Sequence, residues 1–222
     1  SKHRSEFLVC ICLAFFQADQ EHANADGPVA ENTPQMPEVS VLHKLTDGEL
    51  IDLLIYKKES GTALSQYSAN LIPVAKGNRP TGALTPEAPQ AYAVMAELIR
   101  RGGKALPELA KRVTDKKKTE FVFGGKEFDG KRAYRLRVGD LCFEVIGRIV
   151  DQPMNAVSIT GGGPFKHWVV NSPVRTPELA NAIQEDWGKI SEEEHKSHLI
   201  ERSSKFARWY AWQKLRFYYP ES

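Results

Sequence analysis

Apolar residues first gather in an uninterrupted run, Phe7–Phe16, and then thin out until about Leu42, where helical periodicity begins. Thr46-Asp-Gly-Glu49 has the form of a capping box, in which Thr46 caps the helix and Glu49 reaches back. Leu50, Ile51, Leu53, Leu54 and Ile55 follow, predicting a short, largely buried helix. A weaker helical stretch lies near residues 63–74, and Asn78-Arg-Pro-Thr-Gly82 reads as a loop. Thr85-Pro86-Glu87 opens the clearest helix, with Tyr92, Met95, Ala96 and Ile99 at helical spacing. Arg100 and Arg101 suit its negative end, and Gly102-Gly103 stops it. A second helix over about 105–113 then predicts an antiparallel helical hairpin.

The period changes in the middle of the chain. Residues 119–123 and 132–138 read as the strands of a β-hairpin with a loop over 124–131. In the second strand Tyr134, Leu136 and Val138 alternate with Arg135 and Arg137, so one face is buried and one is wet. Gly139-Asp140 starts a helix over 141–150 that is apolar nearly all round, which predicts cover on several sides. Short extended pieces are expected at 157–159 and 167–170, on either side of Gly161-Gly-Gly-Pro164. Thr176-Pro177-Glu178 opens a helix to Trp187, and the Ser191–Glu194 capping box opens a long aromatic helix to about Tyr218. The fold class is α+β, mostly helical.

Residues 1–25 have the pattern of a secretory signal: basic Lys2, His3 and Arg4, the apolar run, and small-x-small Ala23-Asn24-Ala25. The run reaches only ~15 Å as a helix, half a bilayer core, so no stable membrane anchor is expected. Residues 26–41, with Pro28, Pro34 and Pro37, read as a linker, and 42–222 as a single domain. The expected location is secreted or periplasmic. Cleavage removes Cys10 and Cys12 and leaves Cys142 alone, which excludes a disulfide framework and a cysteine zinc site. Charged residues at 26% and hydrophobic residues at 41% exclude a wholly disordered chain. A net charge of +2, from 30 Lys+Arg against 28 Asp+Glu, makes no general case for nucleic acid as partner.

The run Gly103-Lys-Ala-Leu-Pro-Glu-Leu-Ala-Lys-Arg-Val-Thr-Asp115 resembles the second half of a HEAT repeat, and with the helix before it the likeness spans about 86–115. It implies a stacked helical hairpin of the kind used as a protein-binding scaffold. Val138-Gly-Asp-Leu-Cys-Phe-Glu-Val-Ile-Gly-Arg-Ile-Val150 resembles a segment of uncharacterised secreted bacterial proteins, over roughly 86–187. That likeness implies a shared fold and no activity.

Candidate chemistry falls in three places. Cys142 near a helix start, His167 on a strand and Asn171 as orienting group resemble, at a distance, the NlpC/P60 and CHAP cysteine peptidases. In that reading the helix dipole favours the Cys142 thiolate and His167 is the base. The Cys-to-His interval is short for that family, and Leu141 interrupts its Asp-Cys pair. The competing reading puts Cys142 on one apolar face with Val145, Ile146 and Ile149. Glu194, His195 and His198 stand one turn apart without a third ligand, so they read as a solvated helix start and no metal is assigned. The third place is the C-terminal aromatic cluster. There Leu199, Phe206, Tyr210 and Phe217 form a core stripe, while Trp212 and Leu215 point to the other side. Trp209 and Trp212 interleaved with Arg208 and Arg216 suit a protein partner or a cell-envelope glycan. The leading expectation is an exported, non-enzymatic interaction domain without a cofactor; the alternative is a cell-envelope cysteine hydrolase using Cys142 and His167.

Overall fold

The computed structural model describes residues 39–55, 90–123, 134–160, 167–205 and 209–221. The signal pattern, most of the linker, the stretch 63–74, the Asn78–Gly82 loop, the Thr85-Pro86-Glu87 helix start, the 124–131 loop, the Gly161–Pro164 loop and Arg208 all lie outside them. So do the side chains of His167 and Trp209.

The described fold begins with α1 (Val39–Leu42), which starts three residues before the expected domain start and places Leu42 in the core. In α2 (Asp47–Asp52) the capping box is present: Thr46 N–H donates to Glu49 Oε2 at 2.7 Å, and Glu49 N–H donates to Thr46 Oγ1 at 3.3 Å. The Thr46 N–H, together with the Thr46 hydroxyl donating to Glu49 Oε2 at 2.8 Å, holds the Glu49 carboxyl below its ordinary pKa. The turn places Leu50, Ile51 and Leu54 in the core.

Helix α3 (Gln90–Arg101) is buried on all sides over its first described turn, Ala91 to Met95, and then on one face through Leu98 and Ile99. Arg101 pins its end to the preceding elements, donating to Asp47 Oδ1 at 2.7 Å and to the Leu42 carbonyl at 3.1 Å. Gly102 then takes φ +61°, a left-handed value that stops the helix at little steric cost. A 3-10 turn (Gly102–Ala105) leads into α4 (Leu106–Lys111). Two helices joined by the Gly-Gly turn are present, but α3 packs chiefly on α5 (residues 138–150), and α4 packs on α5 and on a later helix (residues 177–187) alike. At six residues, α4 is too short to form a long seam with α3.

Strands β1 (Lys118–Phe123) and β2 (Tyr134–Arg137) pair antiparallel, with the register shifting between Lys118 and Val122. The alternation in β2 is as expected: Tyr134 and Leu136 are buried, Arg135 and Arg137 half-buried. Helix α5 (Val138–Val150) follows at once, and every residue except Arg148 is buried. It packs against α3, α4, β2 and the later helix α7, so an all-round apolar sequence has apolar surroundings on all sides. The extended pieces form a second antiparallel pair, β3 (Val157–Thr160) with β4 (His167–Val170). In α6 (Pro177–Trp187), Thr176 makes no side-chain cap; it closes a turn instead, its N–H donating to the Ser172 carbonyl at 3.1 Å.

The long final helix is two helices, α7 (Glu192–Lys205) and α8 (Trp209–Tyr218), packed on each other. The Tyr219 hydroxyl lies 2.9 Å from His195 Nδ1. In one continuous helix these residues would stand ~36 Å apart, so the chain folds back as an antiparallel hairpin. Folding back buries Leu199 and Ala211 and brings both aromatic ends onto the Gly-Gly turn. A Cβ on Gly102 would meet the Tyr218 ring at 2.6 Å, and one on Gly103 would meet His195 Nδ1 at 2.8 Å. The glycines that stop α3 thus also seat the C-terminal hairpin.

Candidate functional site

Helix α5 starts at Val138, so Cys142 falls in its second turn, beyond the free amides of the first. Asp140 does cap, but backward: its Oδ2 accepts the Arg137 N–H at 2.8 Å. The Cys142 thiol is fully buried within the apolar core, and burial pushes its pKa well up. That environment opposes a thiolate and admits no substrate. His167 opens β4, its backbone paired with Thr160. Asn171 follows the strand with its N–H donating to the Ala156 carbonyl at 2.8 Å and its side chain exposed. Only Cys142 therefore has a described environment for chemistry, and it is that of a core residue.

The histidines of α7 have a structural task that their spacing alone does not announce. The last carbonyls of a helix lack partners within it. Here His195 Nε2–H donates to the Ile149 carbonyl at 3.4 Å, His198 Nε2–H to the Val150 carbonyl at 2.9 Å, and Arg202 Nη2 to the Asp151 carbonyl at 2.8 Å. One face of α7 thus closes the C-terminus of α5. Lys214 of α8 adds a bond to Asp151 Oδ1 at 2.9 Å. Asp151 itself sits at φ 57°, ending α5 in the left-handed conformation. Among the described residues, no group of three His, Cys, Asp or Glu side chains is placed to hold a metal ion.

Two buried groups near this junction titrate in opposite senses. Burial lowers His195 from 6.5 to about 4, partly offset by its bond to Ile149. Burial raises Glu144 from 4.5 to about 7, against the opposing pull of Arg148 and the Ala156 N–H. The His195 contribution is complete above pH 6.5 and fades as the pH falls toward 4, because only the unfolded chain takes up the proton. The Glu144 contribution is complete below pH 4.5 and fades as the pH rises toward 7. Each shift corresponds to about 3 kcal/mol, so between pH 4.5 and 6.5 the two offset one another. Glu144→Gln removes one side of the balance. Relative to wild type, its stability is expected to fall by about 2–3 kcal/mol on going from pH 6.5 to 4.5, read from urea midpoints. Parallel pH profiles would refute the opposed titration.

Helix α8 presents a different face from the one its apolar pattern predicts. The expected core stripe included Tyr210, but Tyr210 is 50% exposed and the buried positions are Ala211 and Lys214, with Tyr218 partly buried beside them. The pairing of Lys214 with Asp151 turns a cation inward, while Tyr210 and Trp212 face outward. Tyr218 donates to the Ile99 carbonyl at 2.6 Å. Trp212 is left 42% exposed, with the Arg216 guanidinium 4.9 Å from its ring centre. Leu215 is half-buried.

No helix among the described residues is long and apolar enough to cross a membrane, so the structure contains no stable helical anchor there. No protein-family model, curated protein or solved structure matches the chain.

Proposed function

We propose that the chain is an exported, non-enzymatic interaction domain that engages a protein or cell-envelope glycan through the outer face of α8. The observation that carries this reading is Trp212, held 42% exposed under the Arg216 guanidinium while Ala211 and Lys214 on the other side of the helix are buried. The inner face is thereby fixed, so the indole is presented at low entropic cost, as an anchor residue requires. A flat indole beside a cation suits an aromatic or carboxylate-bearing protein surface, or the apolar face of a sugar ring. Arg208 and Trp209 adjoin this face in sequence. Export rests on the Lys2–Ala25 pattern. The hydrolase alternative loses support from the buried Cys142 thiol.

Trp212→Ala tests the reading. It is expected to cost about 1–2 kcal/mol of stability, from the covered part of the indole and its contact with Arg216, and to leave the domain folded. It is also expected to lower retention on envelope fractions at least tenfold. Retention destroyed by protease pretreatment of the fraction identifies a protein partner; retention that survives identifies a glycan. Equal retention of the folded variant and the wild type would overturn the proposal.

A further inference from the structure

At the opposite end of α5 from the histidine junction, the Asp140 carboxylate is fully buried. It accepts three hydrogen bonds: from the Tyr134 hydroxyl at 2.9 Å, from the Arg137 N–H at 2.8 Å, and from the Ser172 hydroxyl. Ser172 Oγ in turn accepts the Val174 N–H at 3.2 Å. One carboxylate thus ties together β2, the start of α5 and the turn before α6.

The residues it ties down line a cavity of about 320 Å³, bounded by Lys116, Tyr134, Arg137, Val174 and Arg175. Three of the five are cations. The Arg175 guanidinium lies 4.7 Å from the centre of the Tyr134 ring. Arg137 Nη1 is steadied by the Lys116 carbonyl at 3.2 Å. The part-buried cations Arg101 and Arg112 and the buried Lys214 have carboxylate partners, in Asp47, in Asp52 and Asp115, and in Asp151 respectively. Among the described residues, no carboxylate forms an ion pair with Lys116, Arg137 or Arg175. Asp140 beneath them is buried and accepts its three hydrogen bonds from neutral donors.

Three like charges around one cavity repel each other, and an anion placed among them removes that repulsion and supplies acceptors for their N–H groups. Planar guanidinium groups match the oxygens of a phosphate or carboxylate. We propose that this cleft is a binding site for a small ligand bearing an oxyanion, held by Arg137, Arg175 and Lys116, with Tyr134 and Val174 as its apolar wall. The cavity volume is that of a small-molecule site. The Asp140 network holds Tyr134, the Arg137 backbone and the Val174 backbone in place before the ligand arrives, so little ordering is left to do on binding. The site lies on elements other than α8, and the proposal stands independently of the reading of Trp212.

Calorimetric titration of the full chain with inorganic phosphate, and separately with citrate, tests it at ionic strength held constant with chloride. Saturable binding of either anion is expected, and which one binds tells a phosphate ligand from a carboxylate ligand. Arg175→Gln and Lys116→Gln are each expected to weaken it at least tenfold, whereas Lys189→Gln, outside the cleft, leaves it unchanged. Should Arg175→Gln disturb the fold through its lost contact with Tyr134, Lys116→Gln decides, because that side chain is exposed. Failure of both anions to saturate, or equal weakening by Lys189→Gln, would overturn the proposal.

Discussion

Asp140→Ala is expected to destabilise the domain by about 3–5 kcal/mol, among the larger effects available to a single substitution. The methyl group strands the Tyr134 hydroxyl, the Ser172 hydroxyl and the Arg137 N–H, the first two on buried residues. Asp140→Asn keeps one acceptor oxygen for Tyr134 and Arg137, and its amide can donate to Ser172 Oγ, so it is expected to cost less than half as much. Urea unfolding at pH 7 measures both. A cost below about 1 kcal/mol for the alanine variant would mean that the three donors find other partners, and the account of the network would fail.

Lys214→Met is expected to have an effect of similar size, about 3–5 kcal/mol, because it leaves the Asp151 carboxylate in a buried position without its ammonium partner. The two side chains are only 5% and 9% exposed, so solvent screens the loss weakly. Burial also pulls the Lys214 pKa down, against the opposing pull of Asp151. Asp151→Asn on the same background removes the carboxylate charge. Asparagine tolerates the left-handed backbone at this position, so the end of α5 survives the change. The double variant is therefore expected to recover a large part of the loss. Strict additivity of the two single changes would show that the groups do not interact.

Several elements were legible from sequence because their causes are local. The Thr46–Glu49 box, the Arg100-Arg101-Gly102-Gly103 stop and the alternation of Tyr134 to Arg137 each depend on residues within a few positions, and each appears where the pattern placed it. The apolar character of Leu141–Val150 announced a helix with cover on all sides, although the helix begins earlier, at Val138, a residue expected to end the strand. The Cys142 face, read as core packing beside the catalytic alternative, is core.

The misreadings share a cause at longer range. Periodicity cannot tell a helix that runs straight from one that reverses, and nothing in residues 192–218 marks the fold-back that brings Tyr219 to His195. His195, His198 and Arg202 follow ordinary helical spacing; their role depends on meeting the open end of α5, about 50 positions earlier in the chain. Lys214 reads as a surface cation until Asp151 draws it inward. The basic cleft gathers Lys116, Tyr134, Arg137, Val174 and Arg175 from separate segments, and the overall charge balance conceals it.

What the linear order settled on its own was the type of most described elements and the signals that act over a turn or two: the Thr46–Glu49 cap, the stop after Arg101 and the alternation of Tyr134 to Arg137. Which polar groups would be sealed inside, and which cations would be left together around an opening, was settled only by packing. A buried donor or charge must find its partner wherever the folded chain brings one, and distance along the sequence places no limit on where that is.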